Sequence, residues 1–82
     1  MEKEWTVYIL ECGDGTLYTG ITDDLSRRQK AHESGKGAKY TRGRGPLTLV
    51  HTEELPDKSA ALKREAAIKK LTRAEKLKLL ED

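Results

Sequence analysis

The first 22 residues constrain the fold more than any other part of the chain. Trp5-Thr6-Val7-Tyr8-Ile9-Leu10 and Leu17-Tyr18-Thr19-Gly20-Ile21-Thr22 are rich in β-branched and aromatic residues, and Gly13-Asp14-Gly15-Thr16 between them is a turn signal. Two such runs so closely spaced predict an antiparallel hairpin. Its loop length decides what shares a face. A two-residue loop at Asp14-Gly15 places Tyr8 and Tyr18 on opposite faces. A three-residue loop, Gly13-Asp14-Gly15, pairs Tyr18 with Leu10 and puts both tyrosines on one face. If the two tyrosines serve one site, Gly15 is expected at positive φ within a three-residue loop, because glycine takes that conformation freely. Gly20 inside the second strand weakens it, and marks either a bulge or a place where a ligand approaches the backbone.

The remaining chain reads as one helix, one strand and two helices. Asp23-Asp24 caps a helix from about Leu25 to Glu33 whose only apolar residues are Leu25 and Ala31. Residues 35–46 are rich in glycine, lysine and arginine and are predicted to be a mobile basic loop. Leu47 to Thr52 is the third strand. Pro56-Asp57 opens a second helix, capped by Asp57 or Ser59 and running to about Leu71, and Thr72-Arg73-Ala74-Glu75 is a capping box for a third that ends near Leu80. The order β-β-α-β-α-α gives an α+β fold. Its three-stranded antiparallel sheet cannot stand alone and must be covered by helices.

With 82 residues the chain supports a single domain, 1–82, with a thin core. The net charge of +2 says little, but its distribution says more. Residues 1–22 are acidic on balance, whereas across 27–44 Arg27, Arg28, Lys30, Lys36, Lys39, Arg42 and Arg44 face only Glu33. A localised basic block suits an anionic partner, and equally suits a solvated helix face followed by a charged loop. The single cysteine, Cys12, excludes an intrachain disulfide. No apolar run is long enough to span a membrane, and the N-terminus lacks a signal-peptide pattern. A cytoplasmic protein that does not engage membranes is expected.

Four places break the rules of structure formation. Arg28 and His32, four apart, continue the helix stripe begun by Leu25, so a guanidinium and an imidazole stand where apolar groups should dock; both can also snorkel to the rim. Glu65 falls on the stripe of Ala61, Leu62 and Ile68. A carboxylate aimed at the core needs a cation, either a metal ion or an arginine in a structural salt bridge. Tyr8 and Tyr18 are packing residues or a shared site. Gly37-Ala38-Lys39-Tyr40-Thr41-Arg42-Gly43-Arg44 is an ordinary flexible loop, or one that offers open amides and cations to phosphates and Tyr40 to a base.

Together these residues resemble the GIY-YIG nuclease superfamily. Thr6-Val7-Tyr8 stands in the GIY position without the glycine, and Tyr18-Thr19-Gly20 stands in the YIG position. Ile21 to Arg28 looks like the family helix that delivers an arginine, and the match runs through His32 to Glu65. Lys36 to Pro46 is similar to the short stand-alone bacterial branch and to the catalytic subunit of enzymes that cut branched DNA. Many related nucleases carry an asparagine near the C-terminus, and this chain has no Asn.

The resemblance implies metal-assisted phosphodiester hydrolysis in DNA, with a place in DNA repair. On this reading Glu65 holds one Mg²⁺ or Mn²⁺ ion, and Arg28 sets its fork on the phosphate oxygens. Tyr8 is the general base, provided that the metal or Arg28 lowers a phenol pKa of about 10. Tyr18 orients the nucleophile or the phosphate, and His32 replaces or assists Tyr8. Gly20 lets DNA approach the strand, and Lys36, Lys39, Tyr40, Arg42 and Arg44 bind the nucleic acid. A monomer is expected, with specificity drawn from DNA shape or a partner protein. Two other readings use the same residues: a catalytically silent nucleic-acid binding module of the same fold, and a protein-interaction adaptor with a charged surface.

Overall fold

The structure is a computed structural model; it describes residues 4–33 and 46–80, with the side chains of 32 and 33 excepted. Strands β1 (Trp5–Glu11) and β2 (Leu17–Thr22), helix α1 (Leu25–Glu33), strand β3 (Thr48–Leu55) and helices α2 (Lys58–Lys69) and α3 (Arg73–Leu79) follow in the expected order. The three strands form an antiparallel sheet in the order β2-β1-β3, so β1 is central.

The β1–β2 register is that of the three-residue loop. Leu10 pairs with Tyr18 and Tyr8 with Gly20. Cys12 N–H donates to the Thr16 carbonyl at 2.8 Å, Gly15 N–H donates to the Cys12 carbonyl at 2.9 Å, and Gly15 has φ 85°. Asp14 steadies the turn by accepting from the Thr16 N–H and hydroxyl.

Strand β3 runs to Leu55, three residues beyond the predicted end at Thr52. Glu53 and Glu54 are poor strand formers, yet Glu53 pairs with Val7 and Glu54 with Thr6. A register shift opposite Ile9 and Leu10, where His51 and Leu49 are the partners, leaves Val50 as an extra residue in β3, a bulge that bends this edge strand.

Side-chain alternation along β1 divides the molecule. Val7 and Ile9 turn to one face and are fully buried with Ala61 and Ile68 of α2, rimmed by Trp5, Leu17, Ile21, Val50, Leu55, Leu79 and Leu80. Tyr8 and Leu10 turn to the other face and are also buried. The helices start where predicted. Asp24 accepts from Arg27 N–H at the start of α1, Asp57 accepts from Ala60 N–H before α2, and Thr72 and Glu75 cap α3 reciprocally. Helix α2 ends at Lys69, two residues short of the predicted Leu71. Among the described residues no helix is long and apolar enough to cross a membrane.

Candidate active site

The hairpin register places Tyr8 and Tyr18 on one face of the sheet. Their ring centroids are 6.3 Å apart with planes inclined at 49°, a tilted aromatic pair. Gly20, directly opposite Tyr8, makes this possible. A Cβ at position 20 would lie 2.6 Å from Tyr8 Oη, 2.8 Å from Tyr8 Cζ and 3.1 Å from Tyr18 Cε2. The glycine weakens its strand in isolation, but the space it leaves holds two tyrosine rings. What approaches the backbone of this strand is the chain's own phenol.

Helix α1 delivers Arg28 to this face. Its Nε donates to Tyr8 Oη at 3.4 Å, and the contact with both tyrosines raises the guanidinium pKa further. Glu65, from the middle of α2, is near enough for its charge to act on Tyr8. Its side chain is 20% exposed, and its ion-pair partner is Lys69, one turn later, at a long 3.5 Å. Among the described residues Arg28 and Glu65 form no direct pair. Strand β1, strand β2 and helix α1 thus bring Tyr8, Tyr18 and Arg28 together, and helix α2 holds Glu65 within reach of Tyr8 by charge alone.

Arg28 lowers the Tyr8 pKa as a base at this position requires, but not enough to bring it below its ordinary value. Burial dominates and holds the phenol above its ordinary value. The Arg28 hydrogen bond and charge pull it down, while Tyr18 and Glu65 push it up, and burial prevails. Tyr8 is therefore a neutral phenol at neutral pH, accepting from Arg28 and carrying a proton of its own.

At this site the carboxylate that a divalent ion would meet is that of Glu65. Among the described residues no three His, Cys, Asp or Glu side chains are grouped to hold a metal, so a closed protein cage does not fit. A single, partly open carboxylate with only a long lysine contact fits a hard ion that keeps most of its waters.

The other predicted residues divide differently. The backbone of His32 belongs to α1, and its side chain lies outside the described residues; Lys36, Lys39, Tyr40, Arg42 and Arg44 also lie outside them. Beside Arg28, Thr22, Asp23, Asp24, Arg27 and Ala31 complete the lining of an open depression of about 280 Å³.

One polar cluster escaped the sequence reading. Arg64 Nε and Nη2 donate to the two Glu53 oxygens at 2.7 and 3.0 Å, and His51 Nε2 lies 2.8 Å from Glu53 Oε2. Arg64 holds the Glu53 carboxyl below its usual range, with His51 adding to the effect. The available signal was the alternation His51-Thr52-Glu53, which places the histidine and glutamate on one strand face once the strand is continued past Thr52.

Comparison with known proteins agrees with this geometry. Residues 4–78 match the family model described as the GIY-YIG catalytic domain. The chain is 54% identical over 82 residues to a UPF0213 protein of Streptococcus sanguinis, covering all of this chain and 94% of that one. It is 59% identical over 70 residues to a UPF0213 protein of Halobacterium salinarum, covering 85% of this chain and 91% of that one. The solution NMR structure of a UPF0213 protein from Bacillus halodurans superposes with a TM-score of 0.62 at 55% identity, covering 94% of this chain and 82% of that one. A protein of E. faecalis, also solved by solution NMR, gives a TM-score of 0.64 at 44% identity over 96% and 88%. The chain belongs to the GIY-YIG family, a nuclease superfamily, and within it to the small UPF0213 proteins.

Proposed function

We propose that this protein is a divalent-metal-dependent endonuclease that hydrolyses phosphodiester bonds in DNA. The observation that carries the proposal is the convergence of Arg28 and Glu65 on the Tyr8–Tyr18 pair without a direct ion pair between them. Two opposite charges brought near one region but kept apart leave room for a phosphate beside the arginine and a cation beside the carboxylate.

Each side chain has a task that follows from its surroundings. Arg28 binds the non-bridging oxygens of the scissile phosphate with the guanidinium edges that Tyr8 leaves open, and stabilises charge as it builds there. Glu65 would hold Mg²⁺ or Mn²⁺, which when bound supplies Lewis-acid stabilisation to the departing oxygen. Tyr8 orients the attacking water through its hydroxyl, and would accept a proton from it only as the phenolate, after its own proton has passed to solvent. Tyr18 fixes the Tyr8 ring and lines the approach of the phosphate. His32 stands as an alternative proton acceptor, since imidazole titrates near neutrality. The basic residues Lys36, Lys39, Arg42 and Arg44, with Tyr40 beside a base, complete the nucleic-acid contact, with a partner protein or DNA shape supplying selectivity.

The test is incubation with single-stranded, duplex, flap and branched DNAs in Mg²⁺, Mn²⁺ or chelator, using the parent and Glu65→Gln. Cleavage that needs the metal and disappears in Glu65→Gln is the expected result. Equal cutting by Glu65→Gln removes the assignment. A parent that binds DNA in a salt-dependent way but never cuts makes the chain a silent binding module.

A further inference from the structure

We infer that the cleft between the first hairpin and α3 is a second phosphodiester-binding subsite, in which Arg73 and Lys76 hold the DNA backbone away from the bond at Arg28. The inference rests on the nuclease reading for its ligand, and on a separate part of the molecule for its evidence.

Thr16, Leu17, Arg73 and Lys76 line an open depression of about 210 Å³. Arg73 is not a loose surface cation. Its Nη1 donates to the Gly15 carbonyl at 2.8 Å, which ties the guanidinium to the hairpin turn across 58 residues of sequence. A guanidinium has five donors, and this bond uses one of them. Lys76 is half-buried in the same depression. Among the described residues neither cation has a carboxylate partner. Asp14, the nearest acid in the turn, is directed to the amide and hydroxyl of Thr16. Two cations, an exposed one anchored to the turn and a half-buried one, share this cavity with a threonine, and no acidic residue is among its lining. Like charges held together in this way are stabilised by an anion between them, and a phosphate offers oxygens to both.

Leu17 and Gly20 are three residues apart on β2 and turn to opposite faces, Leu17 to the core face with Val7 and Ile9 and Gly20 to the face of Tyr8, so the depression is reached around the edge strand from the tyrosine pair. This surface is separate in sequence from the basic block of residues 27–44 and adds contacts to it.

The experiment measures binding of a short fluorescent DNA duplex in chelator across a salt series, for the parent, Lys76→Gln, the double variant Arg73→Gln/Lys76→Gln, and Lys63→Gln as an exposed α2 control. Lys76→Gln leaves the Arg73–Gly15 bond in place, so it remains informative even if the double variant loosens the hairpin. The expected result is a salt-dependence slope that falls in magnitude by about 0.9 for Lys76→Gln and about 1.8 for the double variant. Lys63→Gln should leave the slope at the parent value. A Lys76→Gln slope equal to the parent's, or an equal loss for Lys63→Gln, overturns the subsite. Failure of the nuclease reading has a different signature, because Glu65→Gln would then cut like the parent whatever the slopes show.

Discussion

Tyr8 Oη occupies the place where a side chain on Gly20 would begin. The two residues are direct partners across the hairpin, and the 2.6 Å that would separate the hydroxyl from a Cβ is below any contact that real side chains make. Tyr8 is fully buried, so its ring has little freedom to yield. Gly20→Ala is therefore expected to cost about 1–3 kcal/mol of stability, the range of overpacked cores, and to break the Arg28–Tyr8 contact. Chemical denaturation of Gly20→Ala, Tyr8→Ala and the double variant measures this. The penalty of the alanine at position 20 should shrink when Tyr8 is already gone, and equal penalties in both backgrounds would refute the steric account.

Gly15 is needed for the opposite reason. A Cβ there meets nothing within 4 Å, but the residue has φ 85°. Gly15→Ala should cost about 1 kcal/mol through backbone strain alone, and Gly15→Asn distinctly less, since asparagine tolerates that region. Thermal unfolding of the two variants separates them; equal losses would mean that something other than φ matters.

Arg28→Ala removes the cation proposed to bind the phosphate and should leave the sheet and its main core untouched. Where the parent cuts, the rate should fall on the order of 10²–10³-fold, the loss typical of one preorganised charge. The circular dichroism spectrum should stay that of the parent. A loss of rate that tracks a loss of folded protein would make Arg28 a structural residue.

The phenol of Tyr8 titrates above its ordinary value because burial outweighs Arg28. Its folded pKa being raised, the neutral phenol contributes stability that is present below the unfolded pKa of about 10 and is lost as pH climbs through the folded value. Ultraviolet titration of phenolate should show one late tyrosine that Tyr8→Phe removes. Added Mg²⁺ should bring that midpoint down, since a cation at Glu65 cancels one of the charges raising it. A midpoint indifferent to Mg²⁺ in the parent would argue against metal at Glu65.

At the acid end the working pair is Glu53 and Arg64. The Glu53 carboxyl is held low first by the Arg64 hydrogen bonds, so its stabilisation is present above the unfolded pKa and fades as pH falls through the folded one. The Arg64 side chain is 37% exposed, so solvent screening limits the contribution to about 1 kcal/mol or less. Glu53→Gln should reduce stability at neutral pH by that amount and flatten the acid limb of the stability curve. An unchanged acid limb would assign that limb to other carboxylates.

Much of this architecture is legible in the residues themselves, wherever the determinants are local. Gly13-Asp14-Gly15 specifies the loop, the loop specifies the register, and the register puts two tyrosines on one face. Thr72 and Glu75 announce their helix by reciprocal capping. Arg28 and Glu65 draw notice in the sequence as charged residues set on apolar stripes. What escaped depends on partners distant in sequence. Glu53 reads as the end of a strand until Arg64 compensates it, and the Val50 bulge has no turn chemistry to reveal it. The direction of the Tyr8 pKa follows from burial, which no pattern of neighbours states.

The central position of β1 has a consequence for how the site comes into being. Its pairing with β2 closes a loop of a few residues, whereas its pairing with β3 must wait for helix α1 and the segment after it. Short closures are fast and long ones slow, so the hairpin is the element poised to form first during synthesis. Tyr8, Tyr18 and Gly20 all belong to that hairpin. Glu65 arrives only after β3 has been laid down and α2 has docked. A partly made chain thus owns the tyrosine pair and its glycine before α2 can bring Glu65 toward them.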